Sequence, residues 1–103
     1  MKKCRITVMR KAEYKDLMEK YENPIEHACS AEEGQVFISE NCQCPEGFCS
    51  SAWESLFPFV MTLSHGGRNL YGGWMKNPAG AMISCNDGFR PVSFLVEAID
   101  EEQ

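Results

Sequence analysis

The most reactive side chains of this sequence are six cysteines, and their spacing limits the chemistry they could perform. They are Cys4, Cys29, Cys42, Cys44, Cys49 and Cys85. No two of them form a C-x-x-C pair, the motif of zinc knuckles, thioredoxin-type dithiols and most local iron–sulfur sites. Any shared site must therefore be assembled by the fold from distant segments.

Cys49 is the strongest single candidate because it begins segment 49–64, which has the apolar pattern of a core helix. Ser51 and Glu54 fit a capping box that would start this helix. Free backbone amides and the positive end of the helix dipole would then favour negative charge near the Cys49 sulfur. The alternative is a small buried cysteine wedged under Trp53.

Cys85 is the second candidate, at the end of a predicted strand. It directly precedes the turn Asn86-Asp87-Gly88, and Arg90 lies just beyond that turn. A cation this close would favour the thiolate form of Cys85. The alternative is a core cysteine at a strand end, with Arg90 merely exposed.

Cys42 and Cys44 flank a single residue, so in an extended segment both side chains would point the same way. Together with Cys49 and either His27 or Cys29 they could chelate a soft metal, because thiolate and imidazole suit zinc, copper(I) and iron. The alternative is a flexible loop whose thiols have no role.

Two histidines and a glycine-rich segment complete the candidates. His27 precedes Cys29 and His65 follows the core helix, and a lone histidine is more often structural than catalytic. Segment 68–80 could close over a small anionic ligand through Arg68, or it could be slack connecting chain. The sequence contains no serine-hydrolase, P-loop or zincin motif, so those classes lose their usual support.

Apolar periodicity predicts the elements that would position these side chains. Their order is β at 3–10, α at 14–21, β at 35–40, α at 49–64, and β at 81–85 and 91–99. This order predicts a single α+β domain over residues 1–103, with a mostly antiparallel sheet packed against one long helix.

Several local features refine this prediction. Pro58 lacks the amide that would bond to residue 54, so we expect a kink or break in the long helix. His65 followed by a glycine predicts the end of this helix.

The residues of the turn 86–88 tolerate positive φ, which favours a hairpin between the last two strands. Leu95 and Ile99 are apolar on the second face of the last strand, which predicts that this strand is central and covered on both faces.

Composition narrows the class of protein. The chain has 103 residues and a net charge of -5, and seven of its ten basic residues lie in positions 1–20. Without a dense basic run, binding to nucleic acid is disfavoured. No apolar run is long enough to span a membrane, and no secretory signal follows the basic N-terminus. These features predict a cytoplasmic protein, and in that reducing setting free thiols are favoured over disulfides.

Two motifs together resemble a family of short bacterial proteins of about this length that has no assigned activity. They are PEGFCSSAWESLFPFVMTLSHGG and CNDGFRPVSF, which match G-F-C-x-x-A-W, a later G-G and C-x-D-G-x-R-P-V-x-F. The resemblance covers the chain from Cys29 onward and supplies residues without an activity. Those residues are Cys29, Cys49, Trp53, Cys85, Asp87, Gly88, Arg90 and Pro91. It also implies that Cys42 and Cys44 are additions in a variable loop.

Three hypotheses follow. In the first, Cys49 and Cys85, with Cys29, converge to bind a soft metal such as zinc or iron, with His27 as a fourth ligand, or to perform thiol redox work. In the second, the aromatic loop 68–80, with Trp74, forms a homodimer or partner surface. In the third, an enzyme binds a small anion through Arg68 and Arg90 and uses Cys49 as nucleophile.

Overall fold

The computed structural model describes residues 1–25 and 29–99. Its elements are β1 (Lys3–Lys11), α1 (Lys15–Tyr21), β2 (Val36–Ser39), α2 (Ser50–Ser64), α3 (Leu70–Gly73), β3 (Gly80–Ser84) and β4 (Val92–Ile99). The predicted α+β class is confirmed. The element order contains one addition, since α3 forms within the segment that was predicted to be a loop.

The four strands form one antiparallel sheet in the order β2-β1-β4-β3. The two centre strands, β1 and β4, come from opposite ends of the chain and pair from Lys3 with Ile99 to Lys11 with Val92. Their register shifts between Val8 and Arg10, which marks a bulge. The prediction that the last strand is central is confirmed.

The core lies between one face of this sheet and α2. The strands contribute Cys4, Ile6, Val8, Ala81, Val92, Phe94 and Val96, and α2 contributes Ala52, Leu56, Val60 and Leu63. The helical residues recur every three or four positions, so they share one stripe of α2, and the strand residues alternate. The core is therefore assembled from two faces that sequence periodicity predicted.

The second face of the sheet is only partly covered. A row across all four strands on this face joins Val36, Thr7, Leu95 and Met82. Val36 is 51% exposed and Met82 is 37% exposed, while Leu95 is half-buried. On β4 itself Leu95 and Ile99 are half-buried, so the second face of this strand is covered in part, because α2 packs on the other face of the sheet.

The first helix does not add its apolar stripe to the core. Tyr14, Leu17 and Tyr21 are exposed, and none of the residues of α1 is fully buried. The backbone amide of Tyr14 donates to the carbonyl oxygen of Phe89 at 2.9 Å, so the start of α1 is held against the β3–β4 connection. The helix therefore positions the chain that follows it and contributes little to the core.

The end of α2 was predicted correctly from the sequence, but its beginning was not. The capping box is wrong: Cys49 is the N-cap, no side chain among the described residues caps the helix there, and Ser51 lies inside the first turn. The helix continues through Pro58 to Ser64, so the predicted break is absent. His65 does end the helix, and Gly66 follows with a φ of 96°.

Leu56 tests the role of α2 in the core, because its side chain is fully buried while Met61 on the same helix is 48% exposed. We expect Leu56→Ala to lower the free energy of unfolding by about 2–5 kcal/mol through lost burial and a cavity. The matched change Met61→Ala is expected to alter it by no more than about 0.5 kcal/mol. Urea denaturation of the two variants compares them directly, and equal losses would contradict this packing.

Candidate functional site

A cavity of about 590 Å³ lies at the N-terminal end of α2. Cys29, Cys49 and Cys85 all line it, although they come from three separate parts of the chain. Much of the remaining wall is apolar and includes Phe37, Phe48, Ala52, Val92 and Phe94. The structure therefore brings the three predicted cysteines to one cavity, whose walls suit a ligand with an apolar body.

Cys49 occupies the edge of this cavity as the N-cap residue of α2, with extended backbone angles of φ -64° and ψ 123°. Its side chain is exposed, so the alternative of a cysteine buried under Trp53 is wrong. Trp53 itself is half-buried, and its ring lies 5.8 Å from that of Phe57 and 6.3 Å from that of Phe48. Trp53 therefore acts as part of the aromatic packing behind the cavity.

Cys29 and Cys85 are held more firmly than Cys49. The sulfur of Cys29 accepts a hydrogen bond from the amide of Ala31 at 3.3 Å, and that of Cys85 accepts one from the amide of Val92 at 3.3 Å. Both cysteines are half-buried. These local bonds fix the orientation of two sulfurs, while the third remains accessible.

The hairpin connection after Cys85 forms by a different mechanism from the one predicted. None of Asn86, Asp87 and Gly88 has a positive φ. Instead, the Asp87 carboxylate accepts hydrogen bonds from the amides of Phe89 at 2.8 Å and Arg90 at 3.1 Å. An aspartate that bonds to the backbone two residues later creates the turn itself. Asp87 is therefore a structural residue of the cavity wall.

The same connection is fastened to α2. The side-chain amide of Asn86 donates to the carbonyl oxygen of Ser51 at 3.0 Å. Because Ser51 lies in the first turn of α2, this bond keeps Cys85 near the helix end that carries Cys49. The geometry of the site depends on this contact between a loop and a helix terminus.

Arg90 does not serve as a free cation for Cys85. Its guanidinium donates two hydrogen bonds to the carboxylate of Glu22, at 2.9 and 2.8 Å. The side chains of Arg90 and Glu22 are 18% and 16% exposed, and the hydrogen bonds that Arg90 donates to Glu22 raise the pKa of Arg90 above its ordinary value. Arg90 therefore forms an ion pair with a carboxylate far away in the sequence, instead of the predicted interaction with the Cys85 thiol.

Arg68 lies at the other end of α2. One guanidinium nitrogen donates to the carbonyl oxygen of Leu63 at 3.1 Å and to that of Gly67 at 2.6 Å, which satisfies acceptors at the helix C-terminus. A helix of 15 residues is roughly 22 Å long. Arg68 and Arg90 therefore do not share the anion site of the third hypothesis.

The side chains of Cys42 and Cys44 lie in different surroundings in the folded chain. Cys42 has a φ of 58°, so the segment is not extended and its two cysteines do not share a direction. The sulfur of Cys42 lies 2.8 Å from the hydroxyl of Ser64, near the end of α2, while Cys44 is exposed and its thiol donates to the carbonyl oxygen of Pro45 at 3.7 Å. The prediction that Cys42 and Cys44 chelate a metal together is therefore wrong, because it required an extended segment.

Metal binding finds little support in these positions. Among residues 1–25 and 29–99, no group of three or more histidine, cysteine, aspartate or glutamate side chains is arranged to hold a metal ion. Cys29, Cys49 and Cys85 therefore line one cavity without forming a ligand cluster. His27, the predicted fourth ligand, lies outside the described residues.

Cys4 has the most perturbed thiol, and sequence reasoning assigned it only to a strand. It is completely buried, and its sulfur lies 3.8 Å from the carbonyl oxygen of Val60. Burial raises its pKa to about 11, the nearby Cys42 adds to the rise, and Arg68 partly opposes it. Cys4 is therefore a neutral core thiol, and its alternation with Ile6 and Val8 was the available signal.

Comparison of the chain with protein-family models, with curated proteins and with solved structures gives no match. The resemblance to the family with G-F-C-x-x-A-W and C-x-D-G-x-R-P-V-x-F motifs therefore stays a prediction.

The buried thiol of Cys4 makes stability depend on pH in a defined window. Its folded pKa of about 11 exceeds the ordinary value of 9.0, so this contribution to stability is complete below pH 9.0 and is lost as the pH rises through about 11. The free energy of unfolding should fall by about 2–3 kcal/mol in total across this window. Urea denaturation under reducing conditions at about pH 8 and about pH 10.5 measures most of this decrease.

The control for this experiment is Cys4→Val, which keeps an apolar side chain of similar size. It removes the titrating thiol, so the decrease in the free energy of unfolding between the two pH values should be smaller than in the native sequence. Equal decreases would show that Cys4 does not carry this pH dependence.

Proposed function

We propose that this chain is a small thiol protein that performs disulfide exchange at the cavity, with Cys49 as the attacking thiol. One observation carries the proposal: Cys29, Cys49 and Cys85 line the same cavity, and of the three Cys49 alone is exposed. An accessible thiol beside a recess can meet a bound molecule. Cys29 and Cys85 shape the recess around it.

The position of Cys49 at a helix N-terminus supports this role. The backbone amides of the first turn of α2 point toward this end, no described side chain caps them, and the first turn contains no acidic residue. The positive end of the helix dipole favours negative charge here. The negative charge that develops on the sulfurs during exchange is favoured at this position.

The reaction balances without a further oxidant. The Cys49 thiolate attacks one sulfur of a small-molecule disulfide, a new S–S bond joins Cys49 to half of that molecule, and the other half leaves as a thiolate. The rings of Phe37, Phe48 and Phe94 in the wall favour a substrate with a flat, apolar body near its disulfide.

A soft-metal version of this function has weaker support. Zinc or iron would need three or four convergent ligands, and the described residues supply no such cluster. It would depend on His27 to complete the set. Metal analysis of anaerobically purified protein distinguishes the versions, since a stoichiometric metal would favour this alternative over exchange.

The proposed chemistry belongs in the reducing cytoplasm, where a free thiol is the resting form. Within the described residues, none of the helices has the length and apolar character to cross a bilayer. With a net charge of -5, nucleic acid is not the partner we propose. The ligand class is a small molecule.

The reactivity of Cys49 can be measured with dithiobis(nitrobenzoic acid), an aromatic disulfide whose coloured product reports each exchange. We expect a fast phase from Cys49, because it is exposed beside the aromatic cavity, and a slower phase from Cys44. Cys44 is also exposed, but burial and then the neighbouring Cys49 raise its pKa. Less of it is therefore thiolate near neutral pH.

The matched variants are Cys49→Ser and Cys44→Ser, each removing one exposed thiol. The fast phase should disappear in Cys49→Ser and remain in Cys44→Ser. A fast phase that survives the loss of Cys49 would assign the reactive thiol elsewhere and overturn the proposed function.

A second candidate function, a homodimer or partner surface on the loop 68–80, has its own observation. Tyr71 is 69% exposed and Trp74 is 54% exposed, and their rings meet edge to face at 5.0 Å. Tyr71 also has a left-handed backbone, with a φ of 53°, which costs roughly 1–2 kcal/mol outside glycine. Strain that holds an aromatic ring in solvent favours a binding role.

This surface makes a separate prediction about self-association. If two copies meet through these rings, the sedimentation coefficient rises with protein concentration, and Trp74→Ser reduces that rise. Met82→Ser is the control, since Met82 is also exposed but lies on the open sheet face. A coefficient independent of concentration would count against the homodimer.

A further inference from the structure

We propose that Cys44 is the resolving partner of Cys49, so that the two thiols close a reversible disulfide beside the cavity. This inference rests on the proposed function, because it names the second thiol of the same exchange reaction. The sequence pattern had favoured a pairing of Cys49 with Cys85 and a role for Cys44 only as a loop thiol.

A tight turn connects the two cysteines. The amide of Phe48 donates to the carbonyl oxygen of Pro45 at 3.1 Å, and Gly47 between them has a φ of 79°. A glycine with positive φ at the third position is typical of a type II β-turn. Cys44 directly precedes this four-residue turn and Cys49 directly follows it.

Residues in these flanking positions suit a disulfide. The turn brings the Cα atoms of Pro45 and Phe48 within about 7 Å of each other, and Cys44 and Cys49 lie one residue beyond these two ends. A disulfide requires a Cα separation of about 4.4–6.8 Å. Cys49 has extended backbone angles, as a residue leaving such a reversal should.

Two further observations favour this pair. Both cysteines are exposed, so an incoming disulfide can reach either sulfur. The Cys49 thiol also contributes to raising the pKa of Cys44, which places the two sulfurs within range of each other's charge.

The other cysteines are less suited to resolve Cys49. Cys29 and Cys85 are half-buried, and their sulfurs are each held by a backbone amide. Cys42 lies against Ser64 near the opposite end of α2, and Cys4 is buried in the core. Cys44 and Cys49 are the two exposed cysteines, and the turn 45–48 connects them. The Cys44 thiol donates one long hydrogen bond, at 3.7 Å, to the carbonyl oxygen of its neighbour Pro45.

The step completes the exchange with balanced atoms and electrons. After Cys49 has formed a mixed disulfide, the Cys44 thiol loses its proton to water and its thiolate attacks the Cys49 sulfur. The Cys44–Cys49 bond forms, the mixed disulfide breaks, and the second half of the substrate leaves as a thiolate. In total, two protein thiols are oxidised and one small-molecule disulfide is reduced to two thiols.

The consequence is a site with two states. In the dithiol state, Cys49 is free to react at the edge of the cavity. In the disulfide state, its sulfur is held in the turn by Cys44 and cannot attack. Reduction by an external thiol restores the first state, so the redox poise of the surroundings sets the fraction of reactive protein.

The experiment uses oxidised glutathione as the disulfide, followed by acid quenching and mass mapping of every cysteine. We expect the native chain to end as the Cys44–Cys49 disulfide, with little glutathione attached. Cys44→Ser should instead accumulate glutathione on Cys49, because the resolving thiol is gone. Cys42→Ser is the matched control and should behave like the native chain.

A second variant tests the turn without removing a thiol. Gly47→Ala adds a methyl group that meets no atom within 4 Å, so its effect comes through the positive φ alone. It should slow formation of the intramolecular disulfide. Gly34→Ala introduces the same strain elsewhere, since Gly34 has a φ of 91° and open space around it, and it should leave the rate unchanged.

The outcomes separate this inference from the proposed function. If Cys44→Ser gives the same intramolecular product as the native chain, or if mapping joins Cys49 to Cys85, then Cys44 is not the resolving thiol although Cys49 still reacts. If Cys49 takes no glutathione even in Cys44→Ser, the proposed function fails and this inference fails with it.

Discussion

The cavity depends above all on the ion pair between Glu22 and Arg90. These residues are 68 positions apart, and two parallel hydrogen bonds join them at 2.8 and 2.9 Å. Glu22 directly follows α1, on the way to Cys29, and Arg90 lies in the connection that begins at Cys85. The pair therefore closes two otherwise independent loops into one wall, and removing either partner would leave a mostly buried charge without its counterion.

The N-terminus of α2 is the other half of the site. Serine, threonine, aspartate and asparagine are the usual N-caps because their side chains bond to the free amides, yet Cys49 occupies this position and no described side chain takes the role. A proper cap would stabilise the helix by about 1 kcal/mol but would also occupy the amides. The absence of that cap leaves the positive end of the helix open beside an exposed thiol.

Much of the fold followed from residue patterns. The alternation of Cys4, Ile6 and Val8 located β1 and its buried face, and the spacing of Ala52, Leu56 and Val60 located the buried stripe of α2. These predictions succeeded because each depends on the period of one element. The α1 pattern was misleading about burial, since periodicity predicts a helix but not what packs against it.

The site was harder to predict because it depends on contacts between elements. Neither Glu22 nor its separation from Arg90 carries any signal in a single sequence. The capping box failed because the helix begins at Ser50, two residues earlier than an N-cap at Ser51 requires. The significance of Cys44 depends on the φ of Gly47, and a P-E-G-F segment permits that turn without requiring it.

The central claim is that folding makes Cys49 a reactive thiol, and the most direct measurement compares its reaction with iodoacetamide in the native and the urea-unfolded chain. Folding slows most thiols by covering them, but Cys49 is exposed at a helix N-terminus that favours negative charge. The account predicts a faster reaction at Cys49 in the native chain, at equal pH and reagent concentration. A native rate equal to or below the unfolded rate would contradict it.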